Sequence, residues 1–371
     1  MAEGRGRKRR VVLFAALLLA VGIRCAVHKW VLYPEYDHTR FLVAGTPEEV
    51  GRAVGRQYGG TIKQMHPVFL SLCSVLTHQK KAALYAKAAE IAAHIDAVDI
   101  AEIKGVAEGS GMEYEDVLFL NLFYTLASDT GYCRQLAAWG GATADGGLIH
   151  ARNLDWPDYP GSPLRKHNIV LNVRPRRGIE YMLLTWPGFQ CALTGTNKKG
   201  ITVAFNMLNV WGDRGRLAEP IFFTLKRVLR TCGTLEEAVA LVRKARPLGS
   251  GSVLLSDAVQ KKAVVLEVIN GAVDLREPSG DLIGNGNTRA SMLKAAGRSV
   301  DSPAGDVARE MGGALDVKKI TRVMADRRVL QSINILSVVF VPAKNRMYLS
   351  CGRYYAAKGE FKEYPLFRED F

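Results

Sequence analysis

Histidine runs out early in this chain. Seven are present, at His28, His38, His66, His78, His94, His150 and His167, and none follows. That absence removes several catalytic classes. A Ser-His-Asp hydrolase of the α/β type places its histidine late, after nucleophile and acid, and the Gly-x-Ser-x-Gly elbow is missing as well. A papain-like enzyme with its thiol near Cys133 needs an imidazole more than about a hundred residues downstream, where none exists. Neither a Gly-x-x-x-x-Gly-Lys-Ser/Thr phosphate loop nor a His-Glu-x-x-His zinc helix occurs.

Cysteine is also sparse. Cys25, Cys73, Cys133, Cys191, Cys232 and Cys351 lie far apart, with no CxxC pair and no histidine at zinc-ligand spacing. They give no disulfide framework, and neither a metal nor a cofactor is expected. The net charge is +14, yet no Lys/Arg run interleaved with aromatics recurs after residue 10. A dispersed basic surface of this kind does not call for a nucleic-acid partner. Residues 11–23 carry no charge and follow Arg5, Arg7, Lys8, Arg9 and Arg10. A spanning helix needs roughly 20 apolar residues and a signal-peptide core roughly 7–15. Residues 1–26 therefore read as a signal peptide, with Ala20-Val21-Gly22 as a cleavage site, or as a short membrane anchor. Basic flanks stay inside, so the remainder is expected to be exported: periplasmic, extracellular or anchored facing outward.

What is present falls into two styles. Residues 27–132 read as a helical, alanine-rich segment. One helix opens at Pro47-Glu48-Glu49, a second covers 80–97, a third covers 100–111 and ends in glycines, and a fourth covers 114–124. From Cys133 onward come short β-like runs, at 136–139, 148–151, 169–173, 181–185, 191–194 and 201–205. Helices return at 220–231 and 234–245, the latter opened by a Thr234/Glu237 capping box. Strands follow at 252–256, 263–268 and 273–276, helical stretches near Ala290 and at 317–324, and closing strands at 333–341 and 346–351. Gly284-Asn285-Gly286-Asn287 reads as a turn. No regular βαβ alternation appears, which favours a layered α+β sheet fold over a doubly wound one.

An enzyme without a histidine base can use another neutral amine. The α-amino group of a residue at a chain terminus has an ordinary pKa of about 7.7–8.0 and can take the proton of its own side-chain thiol. Such a residue must be exposed by self-cleavage, and the change of style at Cys133 is the natural place for it.

The residues there carry a resemblance. Cys133, Ala138-Trp139-Gly140, Asp145-Gly146-Gly147 and Arg152-Asn153-Leu154-Asp155-Trp156 resemble the penicillin acyltransferase-like family. That family belongs to the N-terminal nucleophile hydrolases, related to choloylglycine hydrolase and acid ceramidase. Further matches at Gly105-Val106-Ala107-Glu108-Gly109, at Gly195-Thr196-Asn197 with Asn206, and at Ser337-Val338-Val339-Phe340 extend it over about residues 100–351. The resemblance implies a four-layer αββα fold and a proenzyme cut between Tyr132 and Cys133. The products would be an N-terminal chain, 27–132, and a catalytic chain, 133–371. It implies that the Cys133 sulfur is the nucleophile and its freed amine the base. Arg152 would stand beside the sulfur and favour the thiolate, and Asp155 would orient the amine. Asn206 would be an oxyanion donor and Asn285 a second active-site amide, with Asn287 competing for that place and Arg289 as a second pocket cation. Arg134 departs from the small residue expected after the nucleophile, which would slow self-cleavage or shape the pocket for an acidic group. His150 and His167 read as structural or surface residues, and Trp139, Trp156 and Trp186 as core or pocket wall.

The implied activity is hydrolysis of a linear N-acyl amide or peptide bond through a thioester on Cys133. An amine intercepting that thioester would make the chain an acyltransferase, and an unprocessed, membrane-tethered binding protein is a third reading. The expected partners are a small-molecule substrate, the chain's own N-terminal piece after cleavage and, through residues 11–23, a membrane.

Overall fold

A computed structural model describes residues 39–127, 133–156, 164–208, 216–269, 271–352 and 355–368. Two sheets dominate it. The first runs β1 (Thr39–Gly45), β4 (Ile169–Pro175), β5 (Tyr181–Thr185), β6 (Thr194–Asn197), β7 (Ile201–Met207), β8 (Gly251–Asp257), β9 (Lys262–Ile269) and β10 (Ala272–Arg276) in spatial order. The second runs β11 (Leu282–Asn285), β2 (Arg134–Ala138), β3 (Ile149–Asp155), β12 (Asn334–Val341), β13 (Arg346–Cys351) and β14 (Lys362–Pro365). β1 is parallel to β4, and the other neighbouring strands pair antiparallel.

Alternation along the strands stacks the layers, because successive side chains point to opposite faces. Leu136 and Ala138 of β2 and Ile149 and Ala151 of β3 pack against Ala304 and Val307 of α8 (Ser302–Glu310) and Ile320 and Val323 of α9 (Val317–Ala325). Ala137, between them, faces Leu254 and Val265 of the other sheet. The far side of that sheet is covered by α1 (Pro47–Thr77) over β1 and β4, by α5 (Ile221–Thr231) over β6 and β7, and by α6 (Leu235–Ala245) over β8 to β10. The order is helix, sheet, sheet, helix: the expected α+β, four-layer αββα architecture. Thr46 and Thr234 open α1 and α6 with complete capping boxes.

Three local readings change and one is extended. The N-terminal segment is not wholly helical, since β1 enters the larger sheet. The third helix ends in glycine as expected, and Gly105 and Gly109 have a further role. They lie inside α3 (Ala97–Ser110), where α1 passes so close that a side chain would strike the Glu48 and Arg52 carbonyls; the helix stops at Gly111, in the left-handed conformation. β6 begins at Thr194 rather than at Cys191. The glycine-rich stretch at 284–287 opens with the end of an edge strand, where Gly284 is pressed against the Asp301 backbone. The remaining helices are α2 (Lys81–Ala92), α4 (Tyr114–Ala127) and α7 (Ala290–Ala295).

Candidate active site

Cys133 directly precedes β2, and β3 lies beside that strand with Gln135 opposite Arg152. Arg152 is 1% exposed. Its Nη1 donates to the Leu193 carbonyl at 2.8 Å and to the Thr194 hydroxyl, and its Nη2 lies 3.4 Å from Cys133 Sγ. The guanidinium is thus pinned from the opposite sheet and set against the sulfur.

Asp155, at the end of β3, is wholly buried. Asn334 Nδ2 donates to its Oδ1 at 2.8 Å, and Asn334 is held in turn by the Ala357 amide, which donates to its Oδ1 at 2.9 Å. Among the described residues, Asp155 Oδ2 has no hydrogen-bond partner. Burial pushes the carboxyl up to about 7; the Asn334 hydrogen bond and the charges of Arg134 and Arg152 pull it the other way. The site therefore holds an unused acceptor on a carboxyl whose burial outweighs the two cations already near it, so that its ionisation would be eased by a further positive charge.

Asn206 on β7 and Asn285 on β11 do not touch each other. Gln135 joins them: its Nε2 donates to Asn206 Oδ1 at 2.7 Å, and its Oε1 accepts from Asn285 Nδ2 at 2.8 Å. Asn206 Nδ2 is buried and without a partner among the described residues. Arg134 Nη1 donates to the Cys133 carbonyl at 3.0 Å and to Asn287 Oδ1 at 3.1 Å, while Asn287 Nδ2 donates to the Met207 carbonyl at 2.6 Å.

The sulfur opens onto a narrow pocket. Its wall is aromatic and aliphatic, formed by Tyr124 of α4, Leu154, Trp156, Leu193, Phe205, Met207 and Phe222. Tyr124 Oη and Trp156 Nε1 are buried there without partners among the described residues.

No family model matches the chain. Protein dcd1A of Dictyostelium discoideum is 32% identical over 146 residues, 37% of this chain and 32% of that protein. The N-acylethanolamine-hydrolyzing acid amidase of Caenorhabditis elegans is 26% identical over 181 residues, 44% of this chain and 49% of that protein. The chain thus spans about a third of the first relative and about half of the second. Among solved structures, the Caenorhabditis elegans ortholog of that amidase aligns with a TM-score of 0.48 at 21% identity, over 57% of this chain and 93% of its own. Penicillin V acylase from Agrobacterium tumefaciens aligns with a TM-score of 0.45 at 16% identity, over 59% and 83%.

The chain has a four-layer αββα fold. Its two sheets between helical layers are the architecture that the resemblance from Cys133 to Asp155 implied. Within this fold Arg289 is not a pocket cation. It is 38% exposed along its side chain, pairs with Asp274 at 3.2 Å and Glu267 at 3.9 Å, and does not line the pocket. Asn287 braces Arg134 and the end of β7, whereas Asn285 is the one linked to Asn206. His150 is structural: its Nδ1 lies 2.7 Å from the Ser256 hydroxyl, and burial, with the nearby Arg152 charge, lowers it to about 3, which keeps it neutral. Among the described residues no group of three or more His, Cys, Asp or Glu side chains could hold a metal. Tyr132 and residues 1–26 lie outside the described residues.

Sequence reasoning missed Gln135, Asn334, Thr194 and Tyr124. Gln135 carried a readable signal, since it stands two residues after the nucleophile and a strand returns to the same face every second residue. Asn334 and Thr194 come from distant segments and become neighbours only through the fold, and Tyr124, nine residues before Cys133, reaches the pocket from the end of α4.

Proposed function

We propose that the chain is a self-processing cysteine amidohydrolase that cleaves linear N-acyl amides through a thioester on Cys133. The observation that supports it most is the buried Arg152 guanidinium 3.4 Å from the Cys133 sulfur at an apolar pocket. In the precursor the thiol adds to the Tyr132 carbonyl, the acyl group moves from nitrogen to sulfur as the C–N bond breaks and frees the Cys133 amine, and water then hydrolyses the thioester to the Tyr132 carboxylate and the free Cys133 thiol. In the mature chain that amine takes the thiol proton, and the thiolate adds to the substrate carbonyl. The spare Nδ2 of Asn206 is suited to the resulting oxyanion, an interaction worth about 3 kcal/mol of barrier. The ammonium returns its proton to the leaving amine as the C–N bond breaks, and water attacks the thioester with the same amine as base. Asp155 Oδ2, the unused acceptor, is suited to holding that ammonium.

The pocket wall favours an apolar or aromatic acyl group. An N-acyl derivative of a small amine is the class to assay first, in line with the name of the Caenorhabditis elegans relative. The basic tip and residues 11–23 support an exported protein whose N-terminal segment is either cleaved off as a signal peptide or kept as a membrane anchor. No described helix is long and apolar enough to cross a membrane.

Intact mass after expression tests processing: a chain beginning at Cys133 is expected, together with its complement. Incubation with a panel of N-acyl amides, with and without added amine, then reads hydrolysis against acyl transfer. Cys133→Ala should abolish both cleavage and turnover. An uncleaved wild-type chain that binds acyl amides without turning them over overturns the amidase reading and favours a binding protein.

A further inference from the structure

Asparagine presents a donor from one end of its amide and an acceptor from the other, and half a turn about its last torsion exchanges them. Only the donor end can stabilise an oxyanion, so something must set the direction of Asn206. The only hydrogen bond its side chain makes to the described residues is to Gln135, whose Nε2 occupies Oδ1 at 2.7 Å and leaves Nδ2 unused. Gln135 is itself directed, because Asn285 Nδ2 donates to its Oε1 at 2.8 Å. The chain of amides runs one way, from Asn285 through Gln135 to Asn206. It is built into the backbone of the site: Gln135 is 0% exposed, two residues from Cys133, opposite Arg152 on one neighbouring strand and opposite Asn285 on the other.

We infer that Gln135 is a positioning residue that fixes the polarity of Asn206, so that a donor and not a carbonyl oxygen is the end left free for the oxyanion. The inference rests on the amidase reading above. It explains why an amide and no other side chain suits this place. Glutamate would accept from both neighbours and turn Asn206 around, and methionine, of similar shape, would leave its amide undirected.

The test is a mutant cycle on the processed enzyme, with the most rapidly hydrolysed amide of the panel: wild type, Gln135→Met, Asn206→Ala and the double variant. Gln135→Met should lower kcat about tenfold or more, toward the roughly hundredfold loss of a deleted oxyanion donor, with KM unchanged. Placed in the Asn206→Ala background it should cost nothing further, since the two act as one unit. A residue that merely supports the fold would give losses that multiply, and that result overturns the assignment. Gln135→Glu provides the second variant should Gln135→Met fail to fold, and is expected to lower kcat at least as far. Variants that mature slowly are compared by their rate of self-cleavage in the same cycle. Wild-type protein that never forms an acyl-Cys133 species sinks the amidase reading and this assignment with it, whereas normal wild-type turnover with multiplicative losses sinks this assignment alone.

Discussion

At the scale of single residues, Asp155 joins stability to maturation. Its carboxyl stands at about 7 in a wholly buried site, against an ordinary 3.8, so the folded uncleaved chain binds this proton more tightly than the unfolded chain does. A raised acid of this kind favours the fold at low pH. Its contribution falls as pH climbs from about 4 to about 7 and is level above that. Removing the charge should therefore matter only at the upper end. Thermal unfolding of the uncleaved Cys133→Ala chain, with and without Asp155→Asn, is expected to show a larger gain from the second substitution at pH 8 than at pH 5. Equal gains at both pH values would contradict it. Glu102 and Glu219 are also raised by burial, and they cancel in this difference. Cys133, Arg152 and Asp155 were legible because they sit within one short stretch of sequence whose order carries the resemblance. Asn334, which holds Asp155, was not, since a bulge between β12 and β3 brings it there from 179 residues away.

Among the elements, the pairing of α1 with α3 depends on the absence of side chains. Side-chain atoms added at Gly51 and Gly55 would strike the Glu102 and Val106 carbonyls, and at Gly105 and Gly109 those of Glu48 and Arg52. The two glycine rows let the helix backbones touch. Gly109→Ala should force the helices apart and cost about 1–3 kcal/mol or more. Gly60, exposed on α1 with open space around it, is the opposite case. Gly60→Ala should stabilise by about 0.5–1 kcal/mol through helix propensity alone. Denaturant unfolding of the two variants checks both signs, and a loss at both positions would mean that backbone contact is not what the glycines serve. Helices and central strands with a clear hydrophobic period were readable in the sequence. β1 and β11 were not, because one is a short run ahead of a strong helix signal and the other carries glycine in a strand for the sake of a close approach to Asp301.

For the molecule as a whole, self-cleavage before Cys133 would leave two chains with a large shared interior. β1 stays inserted beside β4, and α4 contributes Tyr124 to the pocket. Between α3 and α5 lies a buried ionic cluster. Lys226 is 0% exposed and meets Asp99 at 3.0 Å and Glu102 at 2.8 Å, with Arg230 3.5 Å from Asp99. Burial works against the Lys226 charge, but Glu102 and Asp99 outweigh it and hold the ammonium more firmly protonated than an exposed lysine. Such a cluster adds little against an apolar replacement, yet removing one partner strands the others. The five cysteines among the described residues are all free, so no disulfide among them ties the pieces together. The cleaved protein should therefore run as one species containing both chains, separating in denaturant without reductant. Lys226→Met should cost about 3–5 kcal/mol and lower the denaturant concentration at which the chains part. Converting Asp99 and Glu102 to Asn and Gln in the same protein should return much of that loss, because the stranded charges are gone. Size-exclusion chromatography across a urea series, with each fraction weighed intact, reads both effects. Chains that part in plain buffer, or a triple variant no firmer than Lys226→Met, would show that the cluster is not what holds the two halves together.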